Sequence, residues 1–306
     1  MINNAFIFPG QGSQYPGMGK ELAENFKIAW ETFAEADDTL GFRLSRLCFD
    51  GPEDELKLTA NTQPAILTVS IAALRVVRTE TPLTAAYLAG HSLGEYSALV
   101  AAGVFGFADA LRTVRARGTY MQEAVPLGVG AMAAILGVEP EILAGICQEA
   151  AQGEVVSPAN FNSPGQIVIA GHAGAVARAI EIAKSRGYRK AMLLPVSAPF
   201  HCSLMAPAGE RLAETLAGVP TAPPEIPVVT NVEARPNKDE ELIKEFMVRQ
   251  VSAPVLWEAS VLRMVELGVE RFIEIGPGKV LSGLVKRISK GVDVRNVEDL
   301  ATFKAL

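Results

Sequence analysis

The chain has 306 residues, about twice the single-domain prior of about 150, so one large domain with an insertion or two domains are expected. Hydrophobic residues make up 49% and charged residues 20%, which excludes a disordered chain or a coiled coil. The net charge of −6 excludes a global basic field for nucleic acid, and apolar stretches such as 128–138 fall short of the roughly 20 residues that span a bilayer.

Cys48, Cys147 and Cys202 are odd in number and scattered, with no CxxC pair. That argues against a disulfide framework and a thiolate zinc site, and it fits a reducing compartment. The start of the chain has no basic n-region and meets Pro9 early, so a soluble, cytoplasmic protein is expected.

In chain order, a short strand over Ala5–Phe8 stops at Pro9-Gly10, and a glycine-rich turn follows. One helix is predicted over 20–38, with Leu22, Phe26, Trp30 and Phe33 on its buried face. A second, mostly apolar helix covers 63–78. A buried strand over 84–89 feeds into Gly90-His-Ser-Leu-Gly94, and a helix over 95–102 ends near Gly103. The next helix carries Arg112, Arg115 and Arg117.

From 128 to 196 the rhythm changes to strand 131–138, helix 140–151, strands 155–160 and 166–170, helix 173–186 and strand 190–196. That β-α-β-β-α-β order is that of a ferredoxin-like unit. It is read as a subdomain, 128–196, inserted into a larger α/β domain made of 1–127 and 197–306. The chain returns to the larger part with strand 226–230, helices 239–251 and 255–267, strand 271–275 and a turn at Gly276-Pro-Gly278. Strands alternating with helices imply a mainly parallel sheet covered on both faces.

Gly90-His-Ser-Leu-Gly94 is a G-x-S-x-G pentapeptide. This chemistry needs a serine on a tight strand-to-helix turn, with flanking glycines that let the chain pass, and the placement of the motif meets that need. A serine hydroxyl needs a base, usually histidine. His91 adjoins Ser92 and leaves the elbow in another direction, and His172 is most simply a surface residue. His201, in the irregular segment 197–202 where the chain re-enters the large domain, is the base by elimination. A third, acidic member is missing: Asp109 starts a helix, and the glutamates between Ser92 and His201 fall mostly on helix surfaces. The pair reads as a dyad, with the imidazole oriented by a backbone carbonyl or an amide side chain. Leu111, Val114, Gly118 and Met121 define the buried stripe of the arginine-bearing helix, so Arg112 points to solvent. Arg115 and Arg117 flank the stripe on opposite sides, and periodicity does not choose between them. An ordinary solvated arginine is the simpler reading of each.

Taken together, Phe8-Pro-Gly-Gln-Gly-Ser-Gln14, Thr62-Gln-Pro64, Gly90-His-Ser-Leu-Gly-Glu95, Arg117, Asn160-Phe-Asn-Ser-Pro-Gly-Gln166, Ala198-Pro-Phe-His201, Gln250 and Glu274-Ile-Gly-Pro-Gly278 resemble the malonyl-CoA:acyl-carrier-protein transacylases of fatty-acid synthesis. The resemblance covers essentially the whole chain. It implies a hydrolase-like α/β domain with a ferredoxin-like subdomain, Ser92 as nucleophile and His201 as base. It implies an oxyanion hole from the backbone amides of Gln11 and Leu93. Arg117 would bind the free malonyl carboxylate with Gln63 beside it, and the main-chain carbonyl near Gln250 would orient His201. Asn162 would contribute to the pocket, and Phe200 would favour malonyl over methylmalonyl. The partners implied are malonyl-CoA and an acidic acyl carrier protein, with no metal or redox cofactor, no nucleic acid, no membrane, and a monomeric enzyme. Two basic runs, Lys184, Arg186, Arg189 and Lys190, and Lys279, Lys286, Arg287 and Lys290, are candidate docking patches. The rival readings are a serine esterase or thioesterase, a transferase for another acyl unit, and a non-catalytic carrier-binding module.

Overall fold

The computed structural model describes residues 2–196 and 198–306. Met1 and Ser197, the latter opening the segment expected to carry the base, lie outside them. Strand β1 (Asn4–Phe8) is buried along its whole length. The single helix expected over 20–38 is two, α1 (Lys20–Asn25) and α2 (Lys27–Leu40), separated by the extended backbone of Phe26. The break resets the helical phase. Helix α2 buries Ala29, Thr32, Phe33 and Ala36, and Trp30 is left 58% exposed instead of facing the core.

Two unforeseen short helices, α3 (Leu44–Asp50) and α4 (Glu53–Leu56), lead to α5 (Thr59–Glu80), which is buried over most of its surface. Strand β2 (Tyr87–Gly90), α6 (Gly94–Ala101) and α7 (Phe107–Glu123) follow. Then come β3 (Gly130–Leu136), α8 (Pro140–Ala151), β4 (Val156–Ser163), β5 (Gln166–His172), α9 (Ala173–Ser185) and β6 (Ala191–Leu193), in the expected order. Strand β6 is shorter than foreseen because its ladder with β3 reaches only from Ala191 to Leu193. A one-turn helix at Ser203–Met205 precedes α10 (Ala206–Ala217), β7 (Val228–Val229), β8 (Pro236–Asn237), α11 (Glu240–Ser252) and α12 (Trp257–Glu266). The chain closes with β9 (Arg271–Ile275), α13 (Val280–Ile288), β10 (Asp293–Val297) and α14 (Leu300–Lys304).

The strands form two sheets. The larger has the order β10-β9-β1-β2-β7-β8, parallel throughout except for the β7–β8 pair. Both its faces are covered, and alternation along β1 sends Phe6 and Phe8 into one core and Ala5 and Ile7 into another. The smaller sheet is antiparallel, β4-β5-β3-β6, and packs α8 and α9 on a core drawn entirely from residues 133–191. Backbone hydrogen bonds from Phe161 N to Val255 O and from Val255 N to Ala159 O, both 2.9 Å, tie β4 to the segment before α12.

What positions the site is the register of β1 against β2, which sets Phe8 opposite Gly90. The loops after both strands therefore leave the parallel sheet at the same level, at its carboxyl edge. Helix α6 then starts almost in contact with the end of β1: a Cβ on Gly94 would lie 2.0 Å from the Phe8 carbonyl oxygen. Gly94→Ala should therefore destabilise the fold by about 3 kcal/mol, read as a shift in the urea midpoint. A shift worth under about 0.5 kcal/mol would mean that strand and helix separate easily.

Candidate active site

Ser92 sits on the turn between β2 and α6 with φ 51°, the left-handed region that a non-glycine residue adopts only when its surroundings impose it. Asn231, just after β7, imposes it from one side. Its Oδ1 accepts from Ser92 N at 2.7 Å, and its Nδ2 donates to Gly90 O at 2.7 Å, so one fully buried amide clamps both ends of the turn. The Ser92 hydroxyl lies 2.8 Å from His201 Nε2. His201 also has positive φ, 61°, and its Nδ1 lies 2.8 Å from the Gln250 carbonyl oxygen. A carbonyl only accepts, so Nδ1 carries the proton and Nε2 presents its lone pair to the serine hydroxyl. The geometry is that of a nucleophile with a base, oriented by a backbone carbonyl where an acid would stand in a triad.

Arg117 is the third member of the cluster. It is 1% exposed, so the solvated reading fails for it, and of the two candidate arginines it is the one the fold buries. Its Nη1 donates to Gln63 Oε1 at 2.8 Å, and its Nη2 donates to Gln250 Oε1 at 2.9 Å and to Ser92 Oγ at 3.2 Å. Its guanidinium carbon lies 5.5 Å from the centre of the Tyr96 ring. A guanidinium has five N–H donors, and Nε is buried without a partner among the described residues, so donors remain for an anion. Arg115 has a different task. Pro64 has no N–H to give to Ala60 four residues earlier in α5, and Arg115 Nη1 donates to that carbonyl at 2.8 Å. Arg112 is exposed and pairs with Asp109 at 3.2 Å, as expected.

These groups open into a cavity of about 870 Å³ whose lining includes Gln11, Gln63, His91, Ser92, Leu93, Arg117, Asn160, Phe200 and His201. Neither the Gln11 nor the Leu93 backbone N–H donates to another described residue, and each belongs to one of the two loops that leave the sheet side by side. The Asn162 side chain stands behind the lining: its Oδ1 is 2.8 Å from His91 Nε2, which holds that imidazole away from Ser92. His172, half-buried, accepts from Val155 N at 2.9 Å and lies in the small sheet.

Sequence reasoning missed Asn231, Tyr96, the side chain of Gln250 and Glu95. Glu95 is fully buried, the exception among the glutamates of this interval, whose other members are exposed or half-buried. Its Oε2 accepts from Asn231 N at 3.1 Å and Gln250 Nε2 at 2.7 Å. The legible signal was a lone acid in the apolar run of α6, directly after the pentapeptide. Asn231, after a two-residue strand, gave none.

Charge in the site follows burial. Desolvation, the Arg117 cation and His91 push His201 down to about 3, and desolvation also lowers His91. Desolvation raises Glu95 to about 7, partly offset by its hydrogen bonds from Gln250 and Asn231 and by Arg117.

The comparisons with known proteins agree with this geometry. Residues 5–303 match the family model described as an acyl transferase domain. The chain belongs to the acyl transferase family. It is 53% identical over 288 residues to the malonyl CoA-acyl carrier protein transacylase of Escherichia coli K12, covering 94% of this chain and 93% of that one. It is 50% identical over 305 residues to the protein of the same name from Bacillus subtilis, covering 99% and 96%. Among solved structures, an acyl carrier protein S-malonyltransferase from Vibrio cholerae superposes with a TM-score of 0.97 at 51% identity, covering 99% of each chain. A malonyl-transacylase in complex with its type II polyketide acyl-carrier protein gives 0.97 at 48% identity, covering 99% of this chain and 98% of that one. The chain is an acyltransferase.

A base works only while unprotonated, and a lowered pKa keeps His201 neutral further into acid than an ordinary histidine. Modification of Ser92 by an uncharged sulfonyl fluoride should therefore stay flat from pH 8 to about pH 5, without a fall near pH 6.5. In Arg117→Ala, which removes a neighbouring positive charge, the fall should move to higher pH. A wild-type fall centred at about 6.5 would contradict the burial argument.

Proposed function

We propose that the chain moves a malonyl group from malonyl-CoA to the phosphopantetheine thiol of an acyl carrier protein, through a malonyl ester on Ser92, and so supplies extender units for fatty-acid synthesis. The observation that carries this reading is a buried guanidinium within hydrogen-bond reach of a base-paired serine. His201 Nε2 takes the hydroxyl proton as Oγ attacks the thioester carbonyl. The oxyanion is received by the Gln11 and Leu93 N–H groups, the C–S bond breaks, and the CoA thiolate leaves with the proton from His201. The carrier thiol then attacks the ester by the same steps in reverse, which regenerates the serine hydroxyl. Every proton and electron pair is accounted for by serine, histidine and the two thiols, so the reading assigns no metal or redox cofactor.

Arg117 receives the free carboxylate, with Gln63 and Gln250 fixing the guanidinium plane. An acetyl group would leave this buried cation without its anion, a loss worth several kcal/mol. Phe200, beside His201 in the lining, limits the room for a branched acyl unit, and Asn162 acts on the pocket through His91. Water in place of the carrier thiol gives slow hydrolysis as a side reaction.

In the same reading the larger unit, 1–127 and 197–306, is a hydrolase-like α/β domain, and 128–196 is an inserted ferredoxin-like subdomain. The separate core of the small sheet and its strand order support that division. All the site groups come from one chain, which is what a monomeric enzyme requires. No described helix is long and apolar enough to cross a membrane, and the three free cysteines are buried, which suits the reducing cytoplasm. Of the two basic runs, the first is half neutralised, with Lys184 paired to Glu181 and Arg186 to Glu149. In the second only Lys279 is paired among the described residues, to Glu298 at 3.9 Å, and Lys286, Arg287 and Lys290 are not, so that run is the better match for an acidic carrier.

Brief mixing with malonyl-CoA should give a malonyl-sized adduct by intact mass, absent in Ser92→Ala and discharged by carrier protein. Arg117→Ala should slow malonyl acylation at least about a hundredfold while affecting acetyl far less. Rapid thioester loss without an adduct would favour the hydrolase, and neither adduct nor turnover would favour the binding module.

A further inference from the structure

Behind the dyad lies a buried carboxylate that the reaction does not use. Glu95 Oε2 accepts from Gln250 Nε2 at 2.7 Å and from the Asn231 backbone at 3.1 Å, while Oε1 has no partner among the described residues. The Gln250 amide it meets is spent on both sides. Its Nε2 also donates to Ser92 O at 3.0 Å, and its Oε1 accepts from Arg117 Nη2 at 2.9 Å. The same residue's backbone carbonyl accepts the hydrogen bond from His201 Nδ1–H.

A carboxamide has two flips. One presents its oxygen to the guanidinium; the other presents its NH₂, and two donors then face each other. Arg117 alone does not fix the choice, because its N–H groups have other acceptors in Gln63 and Ser92. Two acceptors fix it: the Ser92 carbonyl oxygen at 3.0 Å and, closer at 2.7 Å, Glu95 Oε2, each of which demands the Nε2 side of the amide, and Glu95 supplies the shorter of the two bonds. We propose that Glu95 is a positioning residue for diacid specificity: by accepting from Gln250 Nε2 it locks the Gln250 amide with its oxygen toward Arg117, and so holds the guanidinium where the free carboxylate of the acyl group must bind.

The inference rests on the malonyl-transfer reading, and reach, not charge, is what it assigns to Glu95. Glu95→Asp keeps the charge but is one methylene shorter, so it withdraws the acceptor from Gln250. Glu95→Gln loses the charge, yet its amide oxygen still reaches both N–H groups, and its NH₂ takes the place of the unpartnered Oε1. The experiment measures kcat/KM for Ser92 acylation by malonyl-CoA and by acetyl-CoA at pH 8, in the wild type, both variants, Gln250→Ala and the Glu95→Asp/Gln250→Ala double variant.

In Glu95→Asp the malonyl-to-acetyl ratio should fall about tenfold to a hundredfold, the range for losing a positioned hydrogen bond to a charged group. In Glu95→Gln it should stay within about threefold of wild type. On the Gln250→Ala background Glu95→Asp should cause no further fall, because the residue through which Glu95 acts is gone. A fall in Glu95→Gln that exceeds that in Glu95→Asp would overturn the proposal. So would an equal loss for both substrates in Glu95→Asp, or losses that simply multiply in the double variant. A wild type that shows no malonyl preference would instead remove the underlying reading, so the two failures are told apart by the unmodified protein alone.

Discussion

A guanidinium in the core, beside a serine and a neutral histidine, is the constraint around which the rest of this site is arranged. Burying a cation costs several kcal/mol unless it is well partnered, and the partners found here are neutral amide oxygens and a ring face instead of a directly bonded carboxylate. A carboxylate in direct contact would have neutralised Arg117 and closed the site to an incoming anion. Amide oxygens fix the plane of the guanidinium without neutralising it by direct contact, and in the proposed reading an acidic acyl group supplies that contact on binding. The same charge bears on the base: desolvation first, and then the Arg117 cation, keep the His201 imidazole neutral. In the proposed reading one cation therefore both receives the acyl carboxylate and, after desolvation, helps to keep the base neutral.

The absence of an acid behind His201 follows from the same arrangement. A carboxylate at Nδ1 would hold the imidazolium more strongly, but it would also place a second negative charge near the site meant for the acyl carboxylate. The Gln250 carbonyl fixes the tautomer with a dipole instead of a charge. The carboxylate that the fold does keep nearby, Glu95, is set one residue further back, with Gln250 between it and Arg117. Burial raises it to about 7, so even this acid carries its charge reluctantly. The left-handed backbone at Ser92 is held by Asn231 and the His201 imidazole by the Gln250 carbonyl, both from distant parts of the chain, which is why the elbow and the base stay aligned without a shared element.

Much of this was readable before any coordinates, and the boundary of what was readable has a physical cause. Helix 140–151 and strand 271–275 were placed to the residue because propensity, turn chemistry and burial agree there. The helix over 20–38 was misread because Phe26 continues the i, i+4 spacing from Leu22, and periodicity records spacing but not a local extended residue. Ser92 and His201 were named because each is a reactive type in a telling place, whereas Arg117 was named only through the family resemblance. The periodicity of α7 left Arg115 and Arg117 equivalent, and only the packing against α5 and α6 separates them. Asn231 and the Gln250 side chain were invisible for a different reason. They act through amide hydrogen bonds to atoms more than 130 positions away, and no local pattern encodes such a partner.

The two sheets divide the labour in a way the cavity makes concrete. The parallel sheet supplies everything that must not move: the elbow on β2, the loop after β1 that crosses the elbow at Gly10, and the helices carrying Gln63, Arg117 and Gln250. A Cβ on Gly10 would meet the His91 carbonyl at 2.3 Å, so these two loops are in contact and cannot drift apart independently. The antiparallel sheet contributes Met132 and Asn160 to the wall, and the chain leaving it contributes Leu194 and Val196. The outer face of this sheet has its own core with α8 and α9, and its inner face packs into the core of the larger unit. The β4 hydrogen bonds to Val255 and the Asn162–His91 contact join the second sheet to the first, and Met132, Ala159, Val168 and Ala170 pack its inner face into the larger core. The cavity wall is thus built from one sheet and the elbow, base and guanidinium from the other, so in the proposed reading substitutions at Met132, Asn160, Leu194 and Val196 alter the acyl pocket without touching Ser92, His201 or Arg117.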